Sequence, residues 1–208
     1  MTDAFDDADQ VGELESMGGE ADELLGRRIR HLRKARDLAL KDLAERSGFS
    51  ISFLSQIERG RSSPSVRVLV RIANALDVGM SDLFEETDAS HIPEQSTVQR
   101  RETRRRLFFR ETSVSKELVT PPRPQPKLDV YLITLEPGGS TGSDPYTHPG
   151  AEAGLVLKGS LKLEVEQESF ILREGDGFSF DSHRPHQFSN PGTSLAQVVW
   201  VNARMNKE

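Results

Sequence analysis

A chain of 208 residues has room for one large domain or two small ones. It contains no cysteine, which excludes a disulfide framework, a thiol nucleophile and every thiolate metal site. With 27 basic and 33 acidic side chains its formal charge is -6, a balance that by itself argues against nucleic acid. The charge, however, is unevenly spread. Residues 1–23 carry nine acidic side chains and no Lys or Arg, whereas residues 24–76 carry twelve basic side chains against four acidic ones. One basic module is therefore set in an acidic chain, which is the distribution a phosphate-contacting surface requires. No basic n-region followed by an apolar h-region opens the sequence, and no apolar run approaches the ~18 residues that span a bilayer. A soluble cytoplasmic protein with no membrane partner is expected.

Residues 1–22, rich in Asp, Glu and Gly, offer little apolar surface to offset ordering entropy and are expected to form a disordered acidic tail. A helical domain follows over 23–86. Leu25, Ile29, Leu32 and Ala35 form one apolar stripe, with arginines on the other faces. A short second helix runs from Leu40 to Arg46, with Leu43 and Ala44 inward. Gly48 makes a sharp turn, for which its tolerance of positive φ suits it. Ser50 caps a third helix that turns Leu54 and Ile57 to the core and ends at Gly60. Ser63 and Pro64 read as N-cap and first position of a fourth helix, with Val66, Leu69, Ala73 and Leu76 buried. A brief fifth helix is expected from Ser81 to Phe84.

A linker is placed at 87–96, where polar and turn-forming residues show no period. Beyond it, over 97–208, the period changes from 3.6 to 2. Val130 to Leu135 reads as a strand, and Leu161, Leu163 and Val165 alternate with polar neighbours. Further strands are expected at Phe170–Leu172, Phe178–Phe180 and Gln197–Val201, with an entering strand at Leu107-Phe108-Phe109. Short strands separated by Gly, Pro, Asp and Asn suggest an antiparallel sandwich or barrel.

Residues 40–59, LKDLAERSGFSISFLSQIER, have the form of a helix-turn-helix: small Ala44 at the helix approach, Gly48 at the turn, Leu54 and Ile57 inserted in the core. With the continuation RGRSSPSVRVLVRIANALDVGMSDLF, the segment resembles the lambda-repressor-like, or Xre, family of DNA-binding domains. The resemblance covers about sixty residues and departs at Leu40, where the phage repressors have Gln. It implies an all-α five-helix domain whose third helix enters the major groove of operator DNA. Ile51, Ser52, Phe53 and Gln56 would face base edges, with Gln56 suited to adenine and Ile51 and Phe53 to thymine methyls. Lys41, Ser50, Arg59 and Arg61 would meet phosphates. Phe53 has packing on the fourth helix as its alternative, and Glu58 is expected to pair with a neighbouring Arg. Half-sites about 34 Å apart make a homodimer the economical expectation.

Two clusters stand apart in the second half. One is Tyr146-Thr147-His148-Pro149-Gly150-Ala151-Glu152, followed by Gly159. The other runs from Gly175-Asp176 to Pro185-His186. Two imidazoles and a carboxylate, His148, Glu152 and His186, are a ligand set for Fe, Mn, Ni or Zn if they converge. Over about 98–205 the chain resembles the cupin family, whose first motif reads G(X)5HXH(X)3-4E(X)6G. His148 matches the second His of that motif, Glu152 the Glu, Gly159 the last Gly, and His186 the later His of the second motif. Tyr146 stands in place of the first His, and Asp181 where Pro is frequent. A phenol with a reference pKa near 10 is a poor ligand for a divalent ion. The resemblance implies an all-β jelly-roll barrel, and leaves open a divalent transition metal or a metal-free polar site built from Tyr146, His148, Glu152 and His186. Arg104 and Arg106 are further candidates for that site, while His91, His183 and Trp200 are not.

Both halves together resemble the Xre-cupin regulators. The expected function is a sequence-specific transcriptional regulator, not an enzyme, that binds double-stranded operator DNA as a dimer and responds to a small-molecule effector in the barrel. The alternatives are a metal-dependent cupin enzyme fused to a DNA-binding domain and a barrel that serves only to dimerise.

Overall fold

The computed structural model describes residues 7–84, 97–121 and 127–204. The expected linker at 87–96 and His91 lie outside the described residues. The chain divides into two compact units, with the division after Ser63.

The first unit holds three helices: α1 (Asp7–Lys34), α2 (Leu40–Ser47) and α3 (Ile51–Glu58). Leu25, Ile29 and Leu32 are buried as the periodicity predicts, whereas Ala35 lies past the end of α1 and is exposed. α1 begins inside the acidic segment, so residues 7–22 of the expected disordered tail are helical. That stretch lacks Pro and contains strong helix formers, and acidic residues near a helix N-terminus complement its dipole. Low burial capacity does not stop such a segment from extending a helix already nucleated by 24–34. Gly26 lets α1 and α3 approach closely, since a Cβ there would overlap the backbone of Ile57 and Glu58. The contact is fixed by a buried ion pair. Arg33 donates from Nε and Nη2 to the two carboxylate oxygens of Glu58 at 2.6 and 2.9 Å, and from Nη1 to the Leu38 carbonyl at 2.7 Å. Gly48 ends α2 at φ 68°, and Ser50 Oγ accepts from the Phe53 N–H at 3.2 Å, so the turn and the cap stand where the sequence puts them.

The second unit opens with α4 (Val66–Leu76), which buries Val66, Leu69, Ile72, Ala73 and Leu76. Its N-cap is Ser65 rather than Ser63. The Ser65 hydroxyl accepts from the Val68 N–H, while the Ser63 hydroxyl donates to Asp22 within the first unit. The sequence Ser-Pro-Ser offers two caps, and the second is the one used. The expected fifth helix is a 3-10 turn, Met80–Phe84, so four α-helices are found among the described residues instead of five. Gly79 breaks the run and its N–H is taken by the Asp82 carboxylate at 2.6 Å, which tightens the following turn.

Apart from 3-10 turns at Arg101–Thr103 and Arg110–Thr112 and connecting loops, the rest of the described chain is antiparallel sheet. One sheet contains β1 (Arg106–Phe109), β2 (Val114–Leu118), β3 (Leu128–Leu135), β4 (Ala151–Lys158), β7 (Gly177–Asp181) and β9 (Ala196–Ala203), in the order β1-β2-β3-β9-β4-β7. The other contains β5 (Ser160–Val165), β6 (Glu168–Arg173) and β8 (His186–Ser189), in the order β6-β5-β8. Strands β2, β4 and β8 were not legible, because each turns a charged or polar residue inward where alternation calls for an apolar one. Across β3, β9, β4 and β7 one inner row reads Tyr131, Trp200, Gly154, Phe178. Gly154 leaves the space that the Phe178 ring occupies, and Trp200 packs against Phe178 and, from the facing sheet, Phe188 at ring distances of 4.6 and 4.4 Å. This core seats the next row toward the open end, Asp129, Asn202, Glu152 and Phe180.

Candidate functional site

α3 turns Leu54, Ile57 and Glu58 inward and leaves Ile51, Ser52 and Gln56 exposed on its other side. Ile51 is 48% exposed, a position that packing alone does not explain. Phe53 is half-buried, with its ring 5.4 Å from Phe49 in an edge contact. Ser50 is exposed while its hydroxyl serves the cap. Lys41 and Arg61 are exposed, Lys41 beside Glu45 at 3.8 Å. Arg59 is also exposed but is held against Ser55, donating to its carbonyl at 3.0 Å and its hydroxyl at 2.7 Å.

In the second unit, His148, Glu152 and His186 converge, with ligand atoms all within 4.8 Å of one another. His148 comes from the loop before β4, Glu152 from β4 itself and His186 from the start of β8, so the cluster joins the two sheets. His148 Nε2 lies 3.0 Å from Glu152 Oε1, and His186 Nε2 lies 3.3 Å from Glu152 Oε2. Each imidazole points its other nitrogen at a main-chain carbonyl, His186 Nδ1 at Arg184 (2.9 Å) and His148 Nδ1 at Pro149 (3.3 Å). The Arg184 carbonyl and the Glu152 carboxylate can only accept, so His186 donates from Nδ1 and turns its Nε2 toward Glu152, while His148 donates from Nε2 to Glu152 Oε1. His186 Nε2 and Glu152 Oε2 are buried with no hydrogen-bond partner among the described residues. The facing His186 Nε2 and Glu152 Oε2 fit a shared cation, and the His186 Nδ1 contact is of the kind that orients a metal-binding imidazole.

The electrostatics agree with that reading. Burial raises the Glu152 carboxyl, but the hydrogen bond and charge of His148, with the charges of His186 and Lys116, hold it below the usual range. Burial lowers His186 despite the opposing pull of Glu152. Tyr146 stacks edge-on to His186 at 4.4 Å, and burial followed by Glu152 raises its phenol well above the ordinary value. Tyr146 thus stays neutral at the cluster.

The cluster opens into a cavity of about 660 Å³. Tyr146, His148, Glu152, Asp129, Asn202 and Arg204 line it from the sheets, and Asn74, Asp77, Val78 and Gly79 line it from the end of α4. Arg204 spans the rim. Its guanidinium meets Asp129 at 3.2 Å, the Ser81 hydroxyl at 2.8 Å and Asp82 at 3.7 Å, in the space left by Gly79. The expected contribution of Arg104 and Arg106 is corrected: both pair with Glu117, and neither lines the cavity. Its cations are Arg204 and Lys116, and neither was found from sequence. Lys116 had a visible signal, since it sits between Val114 and Leu118 at the parity of two buried residues. His183 is exposed beside Asp181, and Trp200 is wholly buried core.

Comparison with known proteins divides the chain later than the two structural units do, after α4 and the 3-10 turn. Residues 24–86 match the helix-turn-helix domain family and residues 131–202 the cupin domain family. The chain is 26% identical to the HTH-type transcriptional regulator PuuR of Escherichia coli, over 84% of this chain and 91% of that one. It is 29% identical to the Escherichia coli regulator SutR over 79% of this chain and 85% of the relative. An uncharacterised HTH-type transcriptional regulator of Mycobacterium tuberculosis is 34% identical, over 58% of this chain and 79% of that protein. Among solved structures, an HTH_3 family transcriptional regulator from Vibrio cholerae superposes with a TM-score of 0.72 at 25% identity, covering 91% of this chain and 99% of its own. No described helix is long and apolar enough to cross a membrane. Helix-turn-helix and cupin together, along most of the length of such relatives, make this chain a member of the HTH-type transcriptional regulators that carry a C-terminal cupin domain.

Proposed function

We propose that the protein binds operator DNA as a homodimer in the cytoplasm and that a small molecule in the cupin cavity modulates that binding. The observation that carries the sensing half is the lining of the cavity. The end of α4 and the turn after it form one wall, and Arg204 ties that turn to the sheet that supplies the other. An occupant would touch both walls. It would therefore bind two arrangements of α4 unequally, which is the condition for shifting their populations. The lambda-repressor-like plan, with four α-helices and a closing 3-10 turn, and the jelly-roll barrel belong to this reading, with 23–86 and 97–208 as its domains.

Support for the dimer lies on the sheets. Leu155, Leu157, Phe170 and Ile171 are 42–55% exposed, and β6, which carries the last two, is an edge strand with a free ladder. Exposed apolar side chains beside an unpaired edge suit a self-complementary interface.

On the DNA side, Ile51, Ser52, Phe53 and Gln56 face the bases and Lys41, Ser50, Arg59 and Arg61 the phosphates. Gln56→Ala is expected to relax base preference at one position per half-site, with a loss of about 1–3 kcal/mol on the preferred sequence only. Arg61→Ala is expected to weaken all sequences alike and to reduce the salt slope by about 1 per protomer. Fluorescence anisotropy on a selected site and its single-base variants, across a salt series, reads both. Equal loss of specificity from the two variants would reverse these assignments.

His148, Glu152 and His186 are the residues that would hold a divalent transition metal, which would supply a Lewis-acid anchor for an oxygen of the effector. Purified protein is expected to carry or take up close to one such ion per chain, and His148→Ala/His186→Ala to carry none. Elemental mass spectrometry after incubation with Fe, Mn, Ni and Zn decides this. Wild-type protein without metal under all four would make the cluster a metal-free hydrogen-bonding site.

A further inference from the structure

Lys116 is the one cavity-lining cation among the described residues that makes no hydrogen bond or ion pair with them. It is 3% exposed, and its ammonium lies over the Tyr131 ring, 5.4 Å from the centroid. The other charged groups around it are differently placed. Glu152 faces the two imidazoles, and Asp129 is held by Arg204 at the rim. An ammonium offers three donors, and leaving them unused inside a protein is costly. Strand parity rules out escape to solvent: β2 turns Val114, Lys116 and Leu118 to the same interior face, beside Tyr131 and Ile133 of β3. The cavity that Lys116 lines is of the size that small-molecule sites occupy.

We propose that Lys116 is the recognition residue for a carboxylate on the effector. The proposal rests on the sensing function above and names its ligand class. A carboxylate seated in the cavity accepts from the Lys116 ammonium, a charge-assisted bond made stronger by the burial of Lys116. The carbon chain behind it runs toward the mouth, past Tyr146 and Asn202, where Asn202 Oδ1 is a buried acceptor with no partner among the described residues. A hydroxyl or amino group on that chain would satisfy it. Lys116 stands on a rigid strand inside the sheet, so a carboxylate held there is positioned against the wall formed by the end of α4.

The test is thermal denaturation and calorimetric titration of full-length protein, wild type and Lys116→Met, with three sets of probes. Acetate, glutarate, glutamate and 2-oxoglutarate supply carboxylates, 1,5-diaminopentane the matched dication, and 1,5-pentanediol the matched neutral chain. Lys116→Met replaces the stem almost isosterically and removes only the charge, so the ligand-free variant is expected to melt no lower than wild type. At least one carboxylate is expected to bind and raise the wild-type melting temperature, with affinity at least tenfold weaker in Lys116→Met. Equal carboxylate binding to both proteins would overturn the role of Lys116. Binding of the diamine or the diol without any carboxylate would overturn the ligand class while leaving a sensing cavity in place. Failure of every probe would count against the carboxylate proposal and the sensing function together.

Discussion

Glu58→Ala is expected to destabilise the helical unit by about 3–5 kcal/mol, the usual consequence of removing one partner from a buried ion pair. Arg33 and Glu58 are 8% and 9% exposed and share two hydrogen bonds between α1 and α3. Without the carboxylate, the guanidinium keeps only its bond to the Leu38 carbonyl and retains a charge it cannot solvate. The pair need not contribute much net stability for this loss to occur, because the cost is that of stranding a charge. Arg33→Met/Glu58→Leu is therefore expected to recover most of the loss, since apolar side chains of similar volume remove the demand along with the bond. Urea unfolding followed by circular dichroism reads both variants. A double variant as unstable as Glu58→Ala would show that the pair does more than satisfy itself. The functional consequence is orientation: the bond crosses the contact at Gly26 and fixes how α3 presents Ile51, Ser52 and Gln56.

The second large effect is a pH dependence. Burial lowers the Lys116 ammonium from 10.5 to about 8, against the opposing pull of Glu152. The unfolded chain then binds a proton that the folded one has lost between those two values, so stability rises with pH across that window. Below about pH 8 both states are protonated and the folded protein bears the whole penalty, on the order of 3 kcal/mol. Above 10.5 the penalty is gone. Wild type is thus expected to gain on Lys116→Met between pH 8 and pH 10, read as the difference in urea midpoints of the two proteins. A difference that stays flat over that range would contradict a buried, unpaired ammonium.

The helical half was legible because its constraints are local. Caps, turn glycines and a 3.6-residue stripe place α2, α3 and the core of α4 from sequence, and Glu58 could be assigned an Arg partner because it is an acid in a basic helix. What failed there were choices between near-equal local options, such as Ser63 against Ser65 as cap, or a 3-10 turn against a short helix after Gly79. In the sheets, the strands found were those with apolar alternation. β2, β4 and β8 were missed because Lys116, Glu152 and His186 occupy inward positions, so the residues that build the site are those that break the pattern announcing a strand. His148, Glu152, His186 and Tyr146 were still recoverable, through the spacing of a known motif. Lys116 and Arg204 belong to no such motif. Strand parity marks Lys116 as inward, but that it and Arg204 reach one cavity depends on the pairing of distant strands and on the turn after α4, which no local rule supplies.

The central claim is that this chain reads DNA as a dimer through α3, and selection from a random double-stranded DNA library tests it most directly. Full-length wild type and Gln56→Ala would each be carried through successive rounds of binding and sequencing. The account predicts that wild type enriches an inverted repeat with half-site centres about 10–10.5 base pairs, or a multiple, apart, and that Gln56→Ala keeps the spacing while losing preference at one position in each half. No enriched sequence, or an enriched site without two-fold symmetry that is indifferent to Gln56, would contradict it.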